Sequence, residues 1–153
     1  MKKITILNGL PGCGKSTYCK ELNSSIVCPD DIRLVISGGD YANYEFTKEN
    51  ERITWGIAQM MVRSILRLGR DVVIDATGLN PIARKQWVDI GQEFNARIEC
   101  VTFSTSVETC IERRTKDKKS DNNTTDWSEL IRNMSRYFVA PTLSEGFDVI
   151  IYK

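Results

Sequence analysis

The chain has 153 residues, enough for one domain with a proper core. Its 21 basic and 20 acidic residues nearly cancel, so the overall charge argues neither for nor against a nucleic-acid partner. With no histidine, a histidine-ligated metal site is excluded, and a general base working near neutral pH falls to a carboxylate, or else to a lysine or a thiolate.

Five cysteines, Cys13, Cys19, Cys28, Cys100 and Cys110, form no C-x-x-C pair, and their number is odd. With no secretory leader, this points to reduced thiols in a cytoplasm. No apolar run approaches the length of a membrane span, so no membrane partner is expected.

In chain order, the first strand is expected over residues 3–8, around Ile4-Thr5-Ile6-Leu7. Gly9-Leu10-Pro11-Gly12-Cys13-Gly14-Lys15-Ser16 follows, a complete G-x-x-x-x-G-K-[ST] phosphate-binding loop, and then Thr17-Tyr18-Cys19-Lys20-Glu21-Leu22, which holds no helix breaker. Strand, glycine loop and helix are the context the motif requires. Glycines let backbone N–H groups turn inward around an anion, and the helix aims its positive end at the same phosphates. Lys15 adds a positive charge, and Ser16 offers a hydroxyl to Mg²⁺. The bland alternative is a glycine-rich turn that binds nothing. Cys13 lies among those N–H groups near Lys15, which favours a reactive sulfur; a small residue filling a loop position is the alternative.

A weak strand at 25–28 precedes Pro29-Asp30-Asp31-Ile32-Arg33. If a helix starts there, Asp30 and Arg33 are three apart and share a face. Asp30 can accept a proton from an acceptor hydroxyl, and Arg33 can clamp a phosphate the acceptor carries. A plain Pro-Asp helix start would use the same residues. Residues 37–46 read as an exposed loop. A helix over 47–68 is capped by Thr47 and ended by Gly69, with Ile53, Ile57, Met60, Met61, Ile65 and Leu68 on the expected buried face.

The apolar strand at 71–75 ends in Asp75, the usual layout for an acidic residue on the Mg²⁺ side, acting directly or through water; Asp75 capping a turn is the alternative. Asn80-Pro81 starts a helix whose inner face carries Ala83, Trp87, Ile90 and Phe94. A strand at 97–103 leads towards Arg113-Arg114-Thr115-Lys116-Asp117-Lys118-Lys119, five positive charges against one negative. These suit a helix C-terminus, a lid over triphosphate or a path for a nucleic-acid backbone. Residues 115–125 are polar throughout and read as mobile. Asp126 and Glu129 form an Asp version of the capping box, and Trp127, Leu130, Ile131, Met134 and Phe138 repeat as a core stripe. A last strand is expected at 147–152. The alternation implies an α/β fold: a mainly parallel sheet of about five strands flanked by helices, one domain over 1–153 with a lid near 113–126.

The phosphate loop separates into motor, switch and kinase by what accompanies it. No Asn-Lys-x-Asp-like guanine signature occurs, and the chain is short for a motor domain. Gly9 to Thr17, Asp30 to Arg33, Tyr44 to Lys48, Asp75 to Pro81 with Arg84 and Trp87, Cys110 to Lys119, and Pro141 to Asp148 together resemble the kinase domain of the polynucleotide 5′-hydroxyl kinases. The resemblance implies a P-loop kinase fold and ATP-dependent transfer, with Mg²⁺, to a 5′-hydroxyl end of RNA or DNA. It makes Asp30 the general base and Arg33, with Arg84, an acceptor contact. It gives Gly9, Pro11, Gly12, Cys13, Gly14, Lys15, Ser16 and Thr17 to ATP and its metal. Where the family's lid carries an arginine, this chain has Asp117; the resemblance then leaves the lid charge to Arg114, Lys116 or Lys118, with Asp117 turned to solvent. No Asp-x-Asp-Gly-Thr signature occurs, so the phosphatase partner of some relatives is not expected here. A kinase for a small hydroxyl compound, or a nucleotide-binding module without catalysis, would share the loop.

Overall fold

The computed structural model describes residues 1–117 and 125–153. Five parallel strands, β1 (Lys3–Asn8), β2 (Ser25–Val27), β3 (Val72–Ile74), β4 (Arg97–Thr102) and β5 (Val149–Tyr152), stand in the order β2-β3-β1-β4-β5. The register pairs Ile6 with Ile74 on one side and with Cys100 on the other. β3 is apolar throughout and β1 is buried from Ile4 to Asn8, because helices cover both faces of the sheet.

The helices are α1 (Lys15–Glu21), α2 (Pro29–Ile36), α3 (Lys48–Arg67), α4 (Pro81–Glu93), α5 (Val107–Lys116) and α6 (Trp127–Arg136). On one face Ile4, Ile6, Val72, Ile74 and Ile98 pack against α3 and α4, which supply Ala58, Val62, Leu66, Trp87 and Ile90. Residues of opposite parity, Leu7, Val73 and Val101, meet Cys19 of α1 on the other face. Caps fall where the side chains allow: Thr47, Asn80, Ser106 and Asp126 each accept a hydrogen bond from a backbone N–H in the first turn of their helix.

Three expectations shift. The buried stripe of α3 is Thr54, Ala58, Val62 and Leu66, one position on from the expected one. Small side chains let the helix lie close to the sheet, and Thr54 is buried because its hydroxyl bonds that of Tyr44. Ile57 and Ile65 pack at the margin, while Ile53, Met60, Met61 and Leu68 are exposed. In α6 only Ile131 is buried, Trp127, Leu130 and Met134 line a cleft, and Phe138 lies past the helix end, exposed. Residues 37–46 are more than an exposed loop. They hold a 3₁₀ turn at Tyr41–Asn43, capped by Asp40, and end near the buried Tyr44.

Candidate active site

The neighbouring strands β1, β3 and β2 end side by side, and the segments that leave them open on one cleft of about 880 Å³. The glycine loop after β1 is stitched to the segment after β3. Gly9 N–H donates to the Thr77 carbonyl at 2.9 Å, and Asn8 Nδ2 to the Gly78 carbonyl at 2.7 Å. Asn8 is fully buried and accepts from the Thr102 hydroxyl, which fixes its orientation. The loop also lies against α5. Gly12 has φ +82°, and a Cβ there would sit 2.6 Å from the Cys110 carbonyl oxygen, so both conformation and space demand glycine. Lys15 is nearly buried, its ammonium donating to the Gly9 and Leu10 carbonyls at 2.8 and 2.9 Å and to Cys13 Sγ at 3.5 Å.

Ser16, in the first turn of α1, donates its hydroxyl to Asp75 Oδ2 at 3.3 Å. Burial raises the Asp75 carboxyl above its ordinary value, against the pull of the Lys15 charge and the Ser16 hydrogen bond. A hydroxyl and a carboxylate this close are hard oxygen donors that suit Mg²⁺, an ion that retains waters and shares its coordination with phosphate oxygens. Among the described residues no cluster of three or more acidic, cysteine or histidine side chains forms a fuller cage. Burial pushes the neighbouring Cys19 and Cys28 thiols up to about 12 and about 11, which keeps both protonated.

The other wing of the cleft is built by α2 and the start of α3. Asp30 Oδ1 accepts from Arg33 Nη1 at 2.8 Å and from the Tyr41 hydroxyl at 3.1 Å. Asp30 lines the cleft; Asp31 is exposed and does not. Arg33 turns Nε and Nη2 to Glu51 at 2.9 and 2.8 Å, a bidentate pair. The rings of Tyr44, Phe46 and Trp55 surround its guanidinium at 5.9, 5.4 and 5.7 Å. The Arg33 hydrogen bonds hold the Glu51 carboxyl below its ordinary value, helped against burial by the Tyr44 and Trp55 hydrogen bonds. Sequence reasoning missed Glu51, although its spacing of four from Trp55, whose indole N–H it accepts at 3.1 Å, was visible.

Over the glycine loop, Arg113 Nη1 donates to the Gly12 carbonyl at 3.3 Å. In the sequence Arg113 is only the start of the basic run; its contact joins residues 101 apart in the chain. The Arg114 guanidinium lies 4.0 Å from the centroid of the Trp127 ring and pairs with Asp117 at 3.4 Å. Asp117 therefore lines the cleft beside Arg114 rather than turning wholly to solvent. Lys116 pairs with Glu112 on the outer side of α5 and does not line the cleft, so the charge expected of it is directed elsewhere. Lys118 lies outside the described residues.

Arg84 is a correction. The acceptor contact implied by resemblance is not where the side chain goes. It is fully buried, donates from Nε and Nη2 to Glu145 at 2.8 and 2.7 Å, and donates from Nη1 to the Gly78 and Val139 carbonyls. It braces the turn after Asp75 from beneath.

Among the described residues no helix is long and apolar enough to cross a membrane. Residues 4–116 match the AAA domain family. A bifunctional polynucleotide phosphatase/kinase of Schizosaccharomyces pombe is 26% identical over 147 residues, 95% of this chain and 32% of that protein. The chain thus spans about a third of that relative's length. A chain in the structure of the Pnkp1/Rnl/Hen1 RNA repair complex superposes with a TM-score of 0.75 at 26% identity, over 89% of this chain and 43% of that one. The Mycobacterium tuberculosis APS kinase CysC superposes with a TM-score of 0.63 over 99% of this chain and 88% of that one; at 16% identity this is a likeness of fold.

Proposed function

The chain belongs to the AAA domain family, and we propose that it is an ATP-dependent polynucleotide 5′-hydroxyl kinase acting on ends of RNA or DNA. The observation that carries the reading is the juxtaposition in one cleft of Lys15, Ser16 and Asp75 with Asp30 and Arg33. The polynucleotide phosphatase/kinase activity named for the Schizosaccharomyces pombe relative supports it, as does the likeness to a chain of an RNA repair complex.

In this reading the N–H groups of residues 9–14 and the Lys15 ammonium cradle the donor phosphates. Ser16 and Asp75 would hold Mg²⁺, which when bound would neutralise negative charge on the donor phosphates. Asp30 accepts the proton of the acceptor hydroxyl as that oxygen attacks the γ-phosphorus, and the bond from that phosphorus to the β–γ bridging oxygen breaks to release ADP. The Arg33 edge left free by Glu51 and Asp30 meets the acceptor's neighbouring phosphate. Arg113 and Arg114 supply positive charge above the transferring phosphoryl group. Tyr18 and Phe103, 5.8 Å apart and edge to face, stand with Lys153 at the donor's nucleobase end. The setting we infer is cytoplasmic, in keeping with five free thiols.

A small-molecule acceptor is the second reading, favoured by one observation. Arg33 is already engaged by two carboxylates, which weakens its pull on a polyanion. Transfer of labelled γ-phosphate to a 5′-hydroxyl oligonucleotide, in competition with small hydroxyl compounds, decides between them. Transfer to the small compounds alone overturns the polynucleotide reading.

A further inference from the structure

The loop between α2 and α3 presents an exposed aromatic surface that the phosphate chemistry leaves unused. Phe46 is 65% exposed yet lines the cleft. An apolar ring left in water at the mouth of a polar site invites a flat ligand. Its position is held firmly. The Phe46 ring stands edge-on to Tyr44, with centroids 4.9 Å apart at 80°. Tyr44 is buried and its hydroxyl bonds Glu51 and Thr54 at 2.9 and 3.0 Å. Asn50 Nδ2 donates to the Glu45 carbonyl, and Thr47 caps α3 immediately after Phe46. Tyr41, 6.3 Å from Phe46, ties the same wall to Asp30 through its hydroxyl. A wall built this way is ordered before any ligand arrives, which lowers the entropy that binding must supply.

We propose that Phe46, with Tyr41 beside it, is the stacking wall for the nucleobase of the acceptor's 5′-terminal residue. This rests on the polynucleotide reading and deepens it. A nucleoside carries its base on the same sugar as the reacting hydroxyl, so a hydroxyl at Asp30 brings the base to the wall adjoining Asp30. The guanidinium of Arg33, 5.4 Å from the Phe46 centroid, sits between the two functions: positive charge for the backbone, aromatic faces for the base. Single-stranded nucleic acid is held by this combination. Phe46 offers a π-face with no donor or acceptor, and the Tyr41 hydroxyl is engaged by Asp30, so the wall accepts any base. A polyol acceptor would gain nothing from it.

The test compares two 5′-hydroxyl oligonucleotides, identical except that one lacks its 5′-terminal base. With wild-type protein the abasic acceptor should show a KM roughly tenfold or more above its parent, the size of one stacking contact. In Phe46→Ala the ratio of the two KM values should collapse towards one, and in Phe46→Trp it should persist. A ratio unchanged by Phe46→Ala, with Phe46→Trp equally indifferent, overturns the stacking wall while leaving the kinase reading intact. If the wild-type protein transfers phosphate to neither oligonucleotide, the polynucleotide reading itself falls.

Discussion

Arg84 and Glu145 are 61 residues apart in sequence and 2.7 Å apart in space, joined by two hydrogen bonds beneath the turn that follows Asp75. Burial pushes the Glu145 carboxyl up, but the Arg84 hydrogen bond, the Thr142 N–H and the Arg84 charge outweigh it and hold it below its ordinary value. Arg84→Ala should therefore cost about 3–5 kcal/mol, because it strands a carboxylate that is largely buried. Urea unfolding measures the loss. An Arg84→Met, Glu145→Leu double variant should recover most of it. A single variant of normal stability and raised acceptor KM would return Arg84 to the acceptor.

Lys15→Ala should lower kcat by roughly 10²–10³ with the fold retained, since the ammonium serves charge rather than packing. Circular dichroism and turnover on one preparation test both halves. A folded variant of near-normal rate would refute the phosphate-loop assignment.

Asp75 gives a pH dependence of defined sign. Its carboxyl is raised in the folded protein, so the neutral form is the one the fold favours. That contribution to stability is complete below the unfolded value and is lost as pH rises through the folded one. At neutral pH the ionised Asp75 thus opposes folding, and Asp75→Asn should raise Tm measured without Mg²⁺. Activity should move the opposite way. On acidification, the Mg²⁺ concentration for half-maximal rate should climb at a pH above that of an ordinary aspartate, and Asp75→Asn should need more Mg²⁺ at every pH. An unchanged or lowered Tm contradicts this account.

Asp30→Asn and Arg33→Ala should fail differently. The first removes the proton acceptor and should lower kcat most; the second should mainly raise acceptor KM. Because Arg33 also holds Glu51 and the aromatic ring cluster, Arg33→Ala should lose stability as well, whereas Asp31→Asn should be mild. Steady-state kinetics of the three variants check this. If Asp31→Asn is the damaging change, the general-base assignment is in the wrong register.

At the lid, Arg114 and Asp117 make opposite predictions. Arg114→Ala should cut kcat by about tenfold or more, below the range of an arginine finger. Asp117→Arg should preserve or raise kcat, and Lys116→Ala, remote from the cleft, should change it little. Equal, negligible effects of Arg113→Ala and Arg114→Ala would remove the lid proposal.

Much of this was legible in the chain. The strand cores, the caps Thr47, Asn80 and Asp126 and the glycine loop are local patterns, and local physics decides them. That Asp30 and Arg33 share a face followed from helical spacing, and the structure adds that they pair. What stayed hidden depends on approach distance. The inner face of α3 went to small Ala58 rather than large Met60 because the helix lies close to the sheet. Arg84 could not be told from a surface arginine without Glu145, and Glu51 could not be placed without the return of α3 past α2.

The strand β2 is three residues long and stands at the border of the sheet, joined to β3 alone, whereas β1 is paired on both sides. The two wings of the cleft are therefore held with unequal tenacity. Local opening begins where few backbone bonds must break, so the acceptor helix α2 can loosen while the phosphate loop keeps its shape. On the polynucleotide kinase reading proposed above, this favours an order of events in which a bulky polymer end comes and goes at the sheet's border while the nucleotide side remains assembled for the next encounter.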